Sequence, residues 1–219
     1  MPAVLTLERA WTIANGQDFP VVAETERCQR RVLDHFARLL SAEKKSGSGQ
    51  WSHPDVFKLH KVITHGEVVN QRSVRYRDMA LRVGSFIPPP PETIPSLMSE
   101  LLEWWNQKAP AVPAVIASAI LHYRFEDIHP FADGNGRTGR ALALWELYRR
   151  GFDSPDILSL NEHYWGIRKN YYAALRAVPQ HGEDITVWLE YSAEGLRSTL
   201  ARRWMQMRRT KNLRLRGDQ

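Results

Sequence analysis

Apolar residues recur at three- and four-residue steps along most of this chain, and that period predicts helices. Leu5 to Asn15 reads as a short helix closed by Gly16. Val21 to about Lys45 reads as a longer one, with Leu33, Phe36 and Leu40 on one face. Ser46-Gly-Ser-Gly49 breaks the period as a flexible linker. Pro54 to Thr64 carries Val56, Leu59 and Ile63 at helical steps, with Gly66 beyond its end. A further helix opens at Pro95, with Leu97, Leu101 and Trp105 as its stripe. Pro113 suits the first position of a helix over Ala114 to Ile128, whose Ile116, Ile120, Leu121 and Phe125 form a core face. That helix is apolar nearly all round, which predicts a place at the centre of the domain.

The next helix begins near Gly136 and runs through Ala141, Leu144, Trp145 and Tyr148 to Gly151. Ser159 with Glu162 forms a capping box for a helix ending near Ala177. Asp184 caps the last long helix, striped by Ile185, Leu189, Leu196, Leu200, Trp204 and Met207. One segment departs from the rule. Arg72 to Val83 alternates, with Val74, Tyr76, Leu81 and Val83 set among Arg75, Arg77, Asp78 and Arg82, and predicts a β-hairpin. Pro88 to Pro91 follows as a stiff extended spacer. The expected fold class is therefore all-α, a helical bundle with one β-hairpin.

Composition changes this picture little. A chain of 219 residues, 43% hydrophobic and 25% charged, can bury a core without covalent staples. Cys28 is the single cysteine, so no internal disulfide forms, and a cytoplasmic setting is expected. No signal peptide and no membrane-spanning stretch is read in the sequence. The net charge of +6 would suit nucleic acid, but its location argues otherwise. Arg202, Arg203, Arg208, Arg209, Lys211, Arg214 and Arg216 against Asp218 account for the whole excess, leaving residues 1–200 formally neutral. These basic residues fall on several sides of a helix, as on a solvated helix end. A nucleic-acid-binding helical protein is the alternative they leave open.

The candidate chemistry lies in His129-Pro-Phe-Ala-Asp-Gly-Asn-Gly-Arg-Thr-Gly-Arg140, between two helices of different character. The second helix starts within Gly134-Asn135-Gly136, where backbone N–H groups are unpaired and the peptide dipoles make the end partly positive. Two glycines let the backbone fold around an anion. Arg137 and Arg140, three apart, reach toward the same side. Backbone donors with two guanidinium groups suit a polyphosphate. Asp133 is a hard oxygen ligand for a Mg2+ bridging phosphates, and His129 can act as a general base near neutral pH. Phe131 anchors the loop in the core. The run also fits the dinucleotide pattern G-x-G-x-x-G, but that pattern needs a preceding strand, and here a helix precedes it.

These residues resemble the Fic-domain signature H-P-F-x-[D/E]-G-N-G-R-x-x-R, matched at every fixed position. The likeness extends to His122-Tyr-Arg-Phe-Glu-Asp-Ile128, to the Pro-rich stretch before it and to Arg168-Lys-Asn-Tyr-Tyr172. It implies a Fic fold, with residues 1–53 as an N-terminal helical region, 54–200 as the Fic core and 201–219 as a basic tail. It also implies transfer of AMP from ATP to a Ser, Thr or Tyr hydroxyl of a target protein, with release of pyrophosphate. His129 would be the base and Asp133 the Mg2+ ligand. Gly134, Asn135, Gly136, Arg137, Thr138, Gly139 and Arg140 would bind the nucleotide, with Tyr171 or Tyr172 against the adenine; Tyr172 is the residue taken. The hairpin would be the flap that holds an extended target segment by strand addition.

Many members restrain themselves through [S/T]-x-x-x-E-[G/N], whose Glu meets the second motif arginine. No such match occurs here: Thr186 to Glu190 is followed by Tyr191, and Glu194-Gly195 has Glu190 where Ser or Thr belongs. The expectation is an enzyme that is unrestrained or held by a separate, antitoxin-like protein. Transfer of UMP is the alternative within the family. A catalytically dead scaffold would have no need of His129, Asp133, Asn135, Arg137 and Arg140 together.

Overall fold

The structure, a computed structural model, describes residues 50–64, 75–151 and 168–217. The two helices and linker expected before Gln50, the first residues of the alternating segment and the Ser159–Glu162 box lie outside the described residues. The chain divides into two compact units, residues 1–74 and 75–219.

In the first unit, α1 spans His53–Thr64. Its start is capped by one side chain: the Ser52 N–H and hydroxyl both donate to the Asp55 carboxylate, which satisfies a backbone donor that the helix end leaves open. Val56, Leu59 and Ile63 are fully buried, the residues whose spacing defines the helix in the sequence.

The second unit holds the rest. A 3-10 turn at Pro91–Thr93 leads into α2, Ile94–Gln107, and a second at Ala109–Ala111 precedes α3, Ala114–Ile128. Next come α4, Asn135–Arg149, then α5, Arg168–Gln180, and α6, Thr186–Gly217. Helix α3 packs against α2, α4 and α6, while α5 packs on α6. Its span is the one the sequence predicts, and its central place follows from its all-round apolarity.

Which residues it buries differs from the expected face. Leu121 and Phe125 are buried, but Ile116 and Ile120 are only half-buried, and Ala117, Ser118, Ala119 and His122 fill the interior. Small residues let the neighbours approach closely. The Ser118 hydroxyl donates to the Ala143 carbonyl of α4 at 2.8 Å, and the Trp188 indole of α6 donates to the Ala119 carbonyl at 2.8 Å.

Helix α6 starts as read, with the Thr186 N–H donating to Asp184 Oδ1 at 2.9 Å. Its stripe needs one correction: Trp204 is 61% exposed. It lies sixteen positions beyond the fully buried Trp188, which at 3.6 residues per turn is about 160° around the helix. The predicted hairpin is not shown. Among the described residues there is no strand, only one antiparallel bridge in which Val83 and Phe86 exchange hydrogen bonds of 2.9 and 3.1 Å. Gly84, at φ +63°, makes the tight turn between them. Residues 75–90 form a strap whose backbone is directed elsewhere, as the site shows.

The far end of α4 is fixed by a buried charge cluster. Glu146 is fully buried and accepts from the Trp105 indole of α2 at 2.6 Å, from Arg149 Nε, and from Arg150 at 3.4 Å. Arg150 also donates to the carbonyls of Ala109 and Val112, at 3.2 and 2.7 Å. Removing the carboxylate leaves the Arg149 guanidinium without its buried counter-charge and takes an acceptor from Arg150 and from the Trp105 indole. Glu146→Ala is therefore expected to cost about 3–5 kcal/mol, read as a fall in the urea midpoint of unfolding. A midpoint equal to that of the parent would contradict this account.

Candidate active site

Helix α3 ends on the loop that begins with His129, which caps it in the left-handed conformation at φ 50° and ψ 59°. A non-glycine residue is rarely found there, and the conformation costs about 1–2 kcal/mol. The His129 N–H still closes the helix by donating to the Phe125 carbonyl at 3.0 Å. Its Nδ1 faces the Glu126 carbonyl at 3.3 Å. A carbonyl can only accept, so Nδ1 carries the proton and Nε2 is left as the basic nitrogen. Burial holds the imidazole below its ordinary pKa, and the nearby Arg77 adds to that, while the Glu126 hydrogen bond and Asp133 oppose it. The ring is neutral at pH 7.

The loop is rigid for a local reason. Asn135, nearly fully buried, accepts from the Phe131 N–H at 2.8 Å and donates to the Phe131 carbonyl at 2.7 Å. One side-chain amide thus satisfies both main-chain groups of Phe131, whose ring is buried as expected. The Asn135 side chain acts on the loop itself, and only its backbone stands at the helix start. Gly134, at φ 78°, turns the chain into α4. The Thr138 hydroxyl and N–H both donate to the Gly134 carbonyl at 3.0 Å, so Thr138 tightens the first turn from the inside.

Gly136 and Gly139 serve different ends. A Cβ at Gly136 would stand 3.1 Å from a terminal guanidinium nitrogen of Arg140, so Arg140 folds back along the helix toward its N-terminus. A Cβ at Gly139 would meet Glu126 Oε1 at 2.7 Å and the Phe125 ring at 3.2 Å. Gly139 is thus one point of close approach between α3 and α4. Arg137 is three-quarters buried and lies 3.4 Å from Asp133, which is 70% exposed. Among the described residues no group of three acidic, His or Cys side chains gathers as a metal cage. A single open carboxylate beside an anion site still fits Mg2+, which keeps its waters and takes phosphate oxygens. Asp133 is the residue that would hold it.

Tyr172 is half-buried on α5, its ring centroid 5.2 Å from that of Tyr171. Tyr171 is buried and pairs with His122 of α3 at 3.0 Å. Tyr171 is a core aromatic, leaving Tyr172 as the more accessible of the two. His122 stacks on Trp188, and burial, aided by Arg140, pushes its pKa down to about 3. It is a neutral core histidine.

Two residues of this region escape sequence reading. Arg77 sits at a polar position of an alternating segment, yet it is 5% exposed. Glu126 lies one turn before His129 and looks like a helix-face charge. Its Oε1 is shut from solvent without a hydrogen-bond partner, and burial, partly offset by Arg140, raises its pKa to about 7. In the unfolded chain this carboxyl titrates near 4.5. From pH 4.5 to 7 the unfolded chain loses the proton first, so the stability this group contributes declines as pH rises through that window. Glu126→Gln is expected to flatten the fall in melting temperature across it. An identical pH profile in the variant would refute the assignment.

Residues 50–147 match the Fic/DOC family. The chain is 33% identical over 170 residues to the protein adenylyltransferase Fic of Nematostella vectensis, covering 77% of this chain and 38% of that protein. It is 30% identical over 149 residues to the protein adenylyltransferase fic-1 of Caenorhabditis elegans, covering 68% and 28%. It therefore spans well under half the length of these curated relatives. Among solved structures, a Fic family protein from Desulfovibrio desulfuricans superimposes with a TM-score of 0.70 at 24% identity, over 92% of this chain and 60% of that one. Fic-1 from C. elegans does so with a TM-score of 0.70 at 23% identity, over 94% and 59%. These two likenesses concern the fold.

Proposed function

The chain carries a domain of the Fic/DOC family, and we propose that it transfers AMP from ATP to a Ser, Thr or Tyr hydroxyl of a target protein, releasing pyrophosphate. One observation carries the reading: a neutral imidazole with its Nε2 free for base work shares a rigid loop with a helix N-terminus over which Arg140 is folded. The curated relatives are adenylyltransferases by name, which supports the same reaction.

The chemistry follows from placement. His129 Nε2 takes the proton as the target hydroxyl attacks the α-phosphorus, and the bond to the pyrophosphate oxygen breaks. The first N–H groups of α4, at Gly134, Asn135 and Gly136, stabilise charge on the phosphates, and Arg137 and Arg140 hold the outer oxygens. Mg2+, held by Asp133, would neutralise part of the polyphosphate charge. Thr138 and Gly139 belong to the nucleotide site as the residues that shape its helix, and Tyr172 is its candidate adenine contact. Because burial lowers the proton affinity of the base, the acid limb of the rate profile should fall below the ordinary imidazole value.

The strap at residues 75–90 replaces the expected hairpin as the segment that meets the target. Met79 and Ile87 are more than half exposed on it. A separate protein that places a carboxylate against Arg140 would restrain the enzyme. Among the described residues no helix is long and apolar enough to cross a membrane. The deciding experiment is mass spectrometry of the protein and of lysate after incubation with each nucleoside triphosphate. An adenylyl mass increment with ATP supports the reading, and a uridylyl increment with UTP alone would replace the donor.

A further inference from the structure

We propose that Arg77 is a positioning residue for the base, a clamp that holds the His129 loop in its reactive conformation from outside the motif. The inference rests on the adenylyl-transfer reading of the site.

Arg77 Nε donates to the His129 carbonyl at 2.8 Å, and the Arg77 backbone N–H donates to the Pro130 carbonyl at 2.8 Å. One residue of the strap thus fixes two successive carbonyls of the loop, the first of them 52 positions away in sequence. The other arms of the guanidinium hold the strap itself, donating to Met79 at 2.9 Å and to Pro89 at 2.6 Å. The neighbouring Tyr76 ring lies against Phe131, with centroids 5.7 Å apart.

Two features show that this is more than a surface tether. First, Arg77 is 5% exposed, and all the partners named for its guanidinium are carbonyls. A buried cation without a carboxylate is costly, and three aligned carbonyl dipoles offset that cost only in a fixed geometry. Second, the carbonyl it grips belongs to the left-handed residue that ends α3. A strained backbone persists when its surroundings over-determine it. The fork does so here: if ψ of His129 relaxed, its carbonyl would swing away from Nε, and the imidazole would turn with the backbone. A lysine supplies the charge without the fork.

The charged groups acting on His129 are Arg77 from the strap, which lowers its proton affinity, and Asp133 from its own loop, which raises it. Glu126 of α3 meets the ring through its backbone carbonyl. Arg77 therefore both orients the base and helps to keep it neutral.

The test compares wild type with Arg77→Lys and Arg77→Gln, each checked for native circular dichroism. Both variants should lose about 100-fold in kcat, the scale of a small misplacement of a reacting group, with KM for ATP unchanged. Titration of the His129 imidazole by NMR should show the pKa rising toward the ordinary value in Arg77→Gln and staying low in Arg77→Lys. Native-like variants with full kcat, or with the loss in KM alone, would overturn the proposal. If both variants unfold, wild type decides: the Arg77 Nε–H should be resolved and slow to exchange, and fast exchange would overturn the clamp. The NMR readings do not depend on turnover. A wild type that transfers no AMP would therefore count against the reaction and not against the clamp.

Discussion

Replacing His129 by alanine is expected to reduce AMP transfer about 10²- to 10⁴-fold, the usual contribution of a positioned general base. ATP binding should survive, because in the proposed mechanism the imidazole would meet the proton of the attacking hydroxyl while the phosphates would be held on the α4 side of the loop. Initial rates from adenylyl incorporation, with nucleotide affinity from calorimetry, separate the two effects. The fold should tolerate the change. The Asn135 bonds to Phe131 hold the loop without the imidazole, and the His129 N–H that closes α3 is backbone. A variant that keeps its rate would remove the base from the mechanism. A variant that loses ATP affinity as well would move His129 into the nucleotide site.

Arg140→Glu is expected to be nearly as damaging, by another route. It puts a negative charge where the outer phosphate oxygens would lie and removes a guanidinium that leans over the first turn of α4. Loss of one such charge-stabilising group costs about 10²- to 10³-fold in kcat, and the repulsion adds a loss in ATP affinity. The parent should modify itself in the presence of Mg2+ if nothing restrains it, and the Arg140→Glu variant should not. A parent that binds ATP yet stays silent would indicate that a restraining protein or segment meets Arg140. Self-modification that survives the substitution would show that this side chain has no part in holding ATP. One side effect is expected. Without the nearby positive charge, Glu126 should hold its proton to still higher pH, since Arg140 favours its ionised form.

Much of the site is legible before any coordinates. Unpaired N–H groups at a glycine-rich helix start, two arginines one turn apart and a preceding Asp and His announce an anion site with a base and a metal ligand. That reading needs only local spacing, because helix ends, turns and i, i+3 neighbours are set within a few residues. The bounds of α1, α3 and α4 follow from periodicity and punctuation for the same reason. The resemblance to Fic domains adds the transferred group, which spacing alone cannot supply.

Local spacing fails where a residue is defined by what it meets across the chain. The alternation from Arg72 to Val83 reads as a hairpin. Yet Arg77 turns inward, because the carbonyls of His129 and Pro130 offer it partners that no neighbour in sequence reveals. Nothing in the spacing around Glu126 sets it apart, and the close approach of α3 at Gly139 encloses its carboxyl. Asn135 reads as part of an anion hole, and the tertiary turn of the loop commits its side chain to Phe131. The sequence by itself determined the helices and marked the glycine-rich start of α4 as the candidate phosphate site, while His129 as the proposed base came mainly from the resemblance to Fic domains. The tertiary structure alone decided which buried groups set that base's protonation and hold its backbone, because desolvation and long-range hydrogen bonds depend on packing between segments that sequence distance keeps apart.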